Sequence, residues 1–197
     1  MRKIAKIVQA LSYWPFYLLF KFFLCLKVEG QENLRGLENK PIIFASNHAS
    51  YLDAPLGAIS LPLKFLPVRF LATEWLYKFI NLPVVLFIWL HGSIKIRKCG
   101  GDLETALKEV VSILKKGERI WIFPEGKRIP KGEIGQGKRG VAYLHKETGA
   151  PIVPVAIVGK SRVVFGKPIY SLGEESLEQG ADKVMLAIKE LIAQQVR

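Results

Sequence analysis

The stretch Asn47-His48-Ala49-Ser50-Tyr51-Leu52-Asp53 sets a histidine and a carboxylate around a short turn, directly after the apolar run Pro41-Ile42-Ile43-Phe44-Ala45-Ser46. That run reads as a buried strand, and strand ends with the loops after them are where a rigid scaffold carries functional groups. On a continuous helix, residues with this separation would point about 140° apart. His48 and Asp53 therefore meet only if the chain turns between them, with Asp53 at the start of the next helix. A carboxylate hydrogen-bonded to one ring nitrogen fixes the tautomer and leaves the other nitrogen as a base. A hydroxyl held against that second nitrogen would lose its proton as it attacks a carbonyl carbon. The competing reading is a structural histidine in a strand-end turn, with Asp53 as a plain helix N-cap.

A second chemically suggestive stretch is Phe123-Pro124-Glu125-Gly126-Lys127-Arg128, at the end of the strand-like Arg119-Ile120-Trp121-Ile122-Phe123. A rigid proline, an acid, a flexible glycine and two cations make a loop that can wrap an anion, with backbone N–H groups adding to the cationic contacts. An ordinary Pro-Gly turn with exposed charges is the plainer alternative. A third is His91-Gly92-Ser93-Ile94-Lys95-Ile96-Arg97-Lys98. Its alternation predicts a strand with Lys95 and Arg97 opposite the isoleucines. Such cations could hold a phosphate or simply protect an edge strand.

The elements that must position these residues alternate along the chain. A short strand and turn are expected over 28–36, a helix from Asp53 with Pro55 in its first turn, a strand over 64–71 and a short helix from Thr73. Asn81-Leu82-Pro83 should break that helix, and the apolar run after it, to Leu90, is too short to span a bilayer. A capped amphipathic helix is expected over 102–116, a helix over 141–147 whose His145 reads as structural, buried strands at 150–157 and 163–169, and a closing amphipathic helix over 177–196. This alternation of strands and helices agrees with an α/β fold.

The 197 residues suit one domain, and half of them are hydrophobic. A mean hydropathy of +0.21 and a pI of about 9.7, with a net charge of +12, suit an anionic lipid surface or a phosphorylated substrate. Nucleic acid is the other partner that a basic chain invites, but no nucleic-acid motif occurs and the aromatics fall in apolar segments, so no nucleic-acid partner is expected. The two cysteines, Cys25 and Cys99, and three histidines have no metal-ligand spacing, so no metal is expected.

Residues 1–27 form a segment of their own: Arg2, Lys3 and Lys6 precede a mostly apolar and aromatic run from Ile7 to Leu26. No small-residue cleavage site follows it. The length just suffices for a span, yet Pro15 interrupts it and Lys21 would cost about 2–3 kcal/mol deep in hydrocarbon. The preferred reading is a helix, kinked at Pro15, lying in the membrane interface; a true span and a helix packed on the protein's own core stay open. The domain division is then 1–27, a membrane-associating segment, and 28–197, the globular domain.

Taken together, these blocks resemble the glycerolipid acyltransferases, above all the 1-acylglycerol-3-phosphate acyltransferases. His48 and Asp53 match the first signature, N-H-x-x-x-x-D. Gly92, Ile94 and Ile96 match a second block, Gly-x-hydrophobic-x-hydrophobic-x-Arg, with Lys98 in the arginine column and Arg97 one place earlier. Phe123-Pro124-Glu125-Gly126 matches the third, with Lys127 where Thr or Ser is common and Arg128 aligned. Ile152-Val153-Pro154-Val155 matches the fourth. The ordered set covers roughly residues 40 to 160. The resemblance implies a single α/β domain, a mixed sheet flanked by helices, and acyl transfer without a covalent enzyme intermediate, metal or cofactor. His48 would be the general base and Asp53 would orient it. Arg97 or Lys98, with Glu125, Gly126, Lys127 and Arg128, would position a substrate phosphate. The implied donor is acyl-CoA or an acyl carrier protein, and the implied acceptor is the lysophospholipid 1-acylglycerol-3-phosphate, giving phosphatidic acid at the cytoplasmic face of the cell membrane. Glycerol 3-phosphate or another lysophospholipid is an alternative acceptor within the family. Outside it, the rival is a non-catalytic peripheral membrane-binding protein; a serine hydrolase lacks its Gly-x-Ser-x-Gly elbow.

Overall fold

A computed structural model describes residues 2–73, 90–96, 102–130, 132–159, 161–174 and 176–195. Thr73, expected to open a helix, instead ends a strand; the rest of that expected helix and the apolar run from Pro83 lie outside the described residues, apart from Leu90. So do the second-block cations Arg97 and Lys98.

Among the described residues, seven strands form one sheet: β1 (Lys27–Glu29), β2 (Ile42–Ser46), β3 (Val68–Thr73), β4 (Ile94–Ile96), β5 (Arg119–Ile122), β6 (Ile152–Val158) and β7 (Arg162–Phe165). Their spatial order is β1-β7-β6-β2-β5-β3-β4. All neighbours are parallel except β6 and β7, so the sheet is mixed, as expected. The strand expected from Lys64 starts later. Leu63–Phe65 is a 3-10 turn and β3 begins at Val68, because Pro62 and Pro67 bracket that turn and break strand pairing.

The alternation of side chains across the strands splits the core into two apolar layers. Ile43, Ile120 and Ile152 pack against α3 (Leu103–Lys115), α4 (Gly140–Thr148) and α5 (Leu177–Gln194). On the other face Ile42, Phe44, Trp121 and Val153 pack against α2 (Asp53–Ser60) and Phe20 of α1 (Arg2–Leu24). The helix ends follow their local chemistry. Asp102 accepts the N–H groups of Glu104 and Thr105, Ser176 and Gln179 form a reciprocal capping box, and His145, set 2.8 Å from the Ala150 carbonyl through Nδ1, ties down the end of α4.

Helix α1 runs through Pro15 as a single helix and docks on the sheet through polar as well as apolar contacts. The buried Gln9 side chain donates to the carbonyls of Val68 (2.8 Å) and His91 (2.7 Å) and accepts from the Val68 N–H (3.0 Å). It satisfies backbone groups at the start of β3 that a hydrophobic residue would leave unpaired. The opposite stripe of α1, Ile7, Leu11, Trp14, Leu18 and Phe22, is exposed.

The approach of α2 to the sheet depends on Gly57. A Cβ there would lie 2.7 Å from Trp121 Cζ2. Trp121 is fully buried and its indole N–H donates to Ser46 Oγ at 2.8 Å, so it has little freedom to withdraw. Gly57→Ala should therefore destabilise the protein by about 1–3 kcal/mol, read as a lowered denaturant midpoint.

Candidate active site

Strands β6, β2 and β5 are parallel neighbours, so their carboxyl ends share one edge of the sheet. In open α/β sheets ligands bind outside such ends. The Asn47 side chain extends the β2–β6 ladder by one step: its Nδ2 donates to the Ile157 carbonyl (2.9 Å) and its Oδ1 accepts from the Ile157 N–H (2.8 Å). The backbone is thus held at the point where it turns, and the next residue is His48.

His48 Nδ1 lies 2.8 Å from Asp53 Oδ2. The same oxygen accepts the N–H groups of Ala49 and Ser50, each at 2.7 Å. An ionised carboxylate only accepts, so the ring donates from Nδ1 and Nε2 keeps its lone pair. One ring face stacks on Phe123, with centroids 4.0 Å apart and planes 16° from parallel. The His48 side chain is 20% exposed and that of Asp53 3%, which leaves the imidazole open to a substrate and its carboxylate closed to water. The sequence pattern predicts Asp53 as the helix N-cap. The N-cap is instead Leu52, with no side-chain capping bond. Asp53 is the first helical residue, and its carboxylate turns back onto the 48–50 segment because three donors converge there.

Glu125 lies in the loop after β5 and is only 2% exposed. Its Oε2 accepts the His48 N–H and its Oε1 the Gly135 N–H, both at 2.9 Å. The resemblance groups Glu125 with the phosphate ligands; in the structure both of its oxygens hold backbone, and it ties the His48 turn to the loop that follows Gly126. Burial pushes the Glu125 carboxyl above its ordinary range, while the two backbone N–H groups and the charge of His48 pull it part of the way back. Further ties close this loop: Ile129 N–H donates to the His48 carbonyl and Lys138 N–H to the Pro124 carbonyl, each at 2.8 Å. Gly126 has φ 65°, which favours glycine, and a Cβ there would meet the Lys138 ammonium at 2.8 Å. Lys127 and Arg128 are exposed on the same loop, with Arg128 Cζ 3.7 Å above the Tyr51 ring.

The structure thus brings His48, Asp53, Glu125, Gly126 and Arg128 to one edge. Phe123 under the imidazole and Tyr51 under Arg128 have no assigned part in the sequence reading. Phe123 and Tyr51 sit inside the motifs, but stacking partners distant in sequence leave no local signal. An oriented imidazole beside a cationic loop can take a proton from a hydroxyl on an anionic substrate.

Residues 25–158 match the family described as Acyltransferase. The chain is 27% identical over 191 residues to a chloroplastic 1-acyl-sn-glycerol-3-phosphate acyltransferase of Brassica napus, an overlap of 85% of this chain and 49% of the relative. It is 32% identical over 140 residues to the human 1-acyl-sn-glycerol-3-phosphate acyltransferase alpha, covering 70% of this chain and 47% of that protein. The chain spans about half the length of the curated relatives it matches. Its fold is similar to the crystal structure of a 1-acyl-sn-glycerophosphate acyltransferase from Thermotoga maritima, with a TM-score of 0.72, 24% identity, and coverage of 96% of this chain and 79% of that one.

Glu125→Gln offers one acceptor where two N–H groups need one each, so it should cost about 1–3 kcal/mol. Because the folded carboxyl titrates above its ordinary 4.5, the stability linked to its protonation is present below that value and is lost as pH rises through the folded pKa. The deficit of the Gln variant against wild type should therefore narrow with rising pH, as measured by denaturant unfolding from acid to neutral pH.

Proposed function

The chain belongs to the Acyltransferase family, and on that premise we propose that it transfers a fatty acyl group from an acyl thioester to the sn-2 hydroxyl of 1-acylglycerol-3-phosphate, making phosphatidic acid. The observation that carries this reading is the His48 Nδ1 to Asp53 Oδ2 contact of 2.8 Å, which leaves Nε2 as the base. The acceptor O–H gives its proton to Nε2 as its oxygen attacks the thioester carbonyl carbon. Asp53 stabilises the imidazolium that forms. The tetrahedral intermediate collapses, the C–S bond breaks, and the thiolate leaves as a thiol with the proton from His48. The donor is acyl-CoA or an acyl carrier protein. Lys127 and Arg128 hold the acceptor phosphate, with Arg97 or Lys98 as further ligands. Gly126 admits the close packing of the loop, and Glu125 holds the loop against the base. The names of the relatives support the acceptor, and the exposed cations beside an oriented imidazole fit it.

Residues 1–27 form the membrane-associating segment in this reading, and 28–197 the catalytic domain. A lysophospholipid acceptor is drawn from a lipid surface, and the exposed stripe of α1 supplies an apolar face for that surface. Helix α1 is long and apolar enough to cross a membrane. However, a span would have to strip the Gln9 amide from Val68 and His91, leaving backbone groups of the sheet unpaired. This favours a helix lying in the interface, which the proposal places at the cytoplasmic face.

Acyl transfer from a labelled acyl thioester to 1-acylglycerol-3-phosphate in mixed micelles tests the chemistry. His48→Ala and Asp53→Asn should each lower kcat by roughly 10²–10⁴ with the fold intact. Product from His48→Ala at the wild-type rate sinks the base assignment. Phe22 and Phe23 are 75% and 79% exposed; replacing both with Glu should weaken binding to anionic vesicles at least about tenfold, from the loss of roughly 1.5–3 kcal/mol of burial per ring, as read by co-sedimentation.

A further inference from the structure

Tyr51 lies inside the histidine–aspartate turn, yet its ring takes no part in the contacts that hold the imidazole. It is 58% exposed, and the Arg128 guanidinium sits over it with Cζ 3.7 Å from the ring centroid. No described carboxylate pairs with Arg128. The residue after it, Ile129, is buried and its N–H is bonded to the carbonyl of His48 at 2.8 Å. Two links thus fix Arg128 relative to the base: a backbone bond at one side and an aromatic ring under its side chain.

We propose that Tyr51 is a positioning residue that holds the Arg128 guanidinium by one face and so aims its N–H edge at the phosphate of the acceptor. The proposal rests on the reading above that the acceptor is phosphorylated. An arginine on an exposed loop samples many rotamers, and fixing one of them on binding weakens affinity. A ring contact removes that cost before the ligand arrives. It occupies only the face of the guanidinium, and all five N–H donors lie in the plane, free for a bidentate grip on phosphate oxygens. Lysine in place of Arg128 would keep the charge but not the plane. The position of Tyr51 gives the arrangement its purpose: Ala49 and Ser50, just before it, donate to Asp53, so one turn sets both the base and the seat of the cation.

The test uses a short-chain 1-acylglycerol-3-phosphate below its micelle concentration, so that any insertion of Tyr51 into lipid does not contribute. Equilibrium binding without donor, and steady-state kinetics with it, are compared for wild type, Tyr51→Phe, Tyr51→Leu, Arg128→Lys and the Tyr51→Leu/Arg128→Lys double variant, with thermal unfolding to verify each fold. Tyr51→Leu should weaken binding and raise KM by roughly three- to ten-fold with kcat little changed. Tyr51→Phe, which keeps the ring, should stay close to wild type, and the double variant should be no worse than Arg128→Lys alone. The proposal is overturned if Tyr51→Leu lowers kcat with KM unchanged, if Tyr51→Phe is as impaired as Tyr51→Leu, or if the two single effects multiply in the double variant. If wild type binds glycerol 3-phosphate or inorganic phosphate but no lysophosphatidate, the acceptor assignment fails by itself and the Tyr51 comparison is read on the ligand that binds. If wild type binds none of the three, both readings fall.

Discussion

A buried carboxylate must have its lone pairs filled, and at the carboxyl edge of this sheet two such groups meet that demand with backbone. Asp53 and Glu125 are each 2% exposed. Asp53 gathers the N–H groups of Ala49 and Ser50 together with the His48 ring on one oxygen. Glu125 takes the N–H of His48 on one side and of Gly135 on the other. Isolated charges in such positions would be strongly destabilising; here each draws a loop around itself. The geometry of the turn thus follows from pairing two buried carboxylates with main-chain and ring donors. The two carboxylates divide the work: one fixes the imidazole ring, the other fixes the backbone from which the ring hangs.

The apolar side of the same site is a run of aromatic rings reaching out from the core. Phe44 stacks on Trp121, Trp121 on Phe70, and Phe123 carries the His48 ring. Because Trp121 is anchored through Ser46 Oγ, this run is a rigid floor. The imidazole has its face set by Phe123 and its edge by Asp53, two constraints at right angles that together leave little rotational freedom. Precision in orientation is what turns an ordinary imidazole into an efficient base.

What could be read from the sequence depended on range. The strand at 42–46, the capped helix at 102–116 and the closing helix carry their signals locally, in periodicity and caps, and appear where expected. The His48–Asp53 pair was also legible, since both partners lie in one turn. The position of Asp53 relative to the helix cap was not, because its carboxylate answers to donors upstream rather than to the helix it begins. The resemblance groups Glu125 with the phosphate ligands; its neighbours in the structure, His48 and Gly135, are brought to it by the sheet and the loop. Asn47 and Ile157 stand 110 residues apart, and Gln9 reaches a strand 59 positions away. Pairings at that range leave no local pattern. The β3 boundary was missed for a local reason, the prolines around Leu63–Phe65.

The polar clamp of Gln9 bears on how the chain would meet a lipid surface. A helix with apolar residues all round has no preferred face and is free to rotate or to leave the domain. One buried amide, making three hydrogen bonds to main-chain atoms of β3 and the His91 turn, acts with the Ser12 Oγ to His91 Nε2 contact of 3.0 Å and the buried Ala5 and Phe20 to set the rotation of α1 about its axis and so the stripe that points outward. The outward stripe is the one with Leu11 and Trp14, 74% and 54% exposed. Apolar area alone would bring the chain to a bilayer without orienting it. The clamp joins that area to the sheet whose edge carries His48, so that contact of α1 with a surface would also set the attitude of the His48 edge toward that surface.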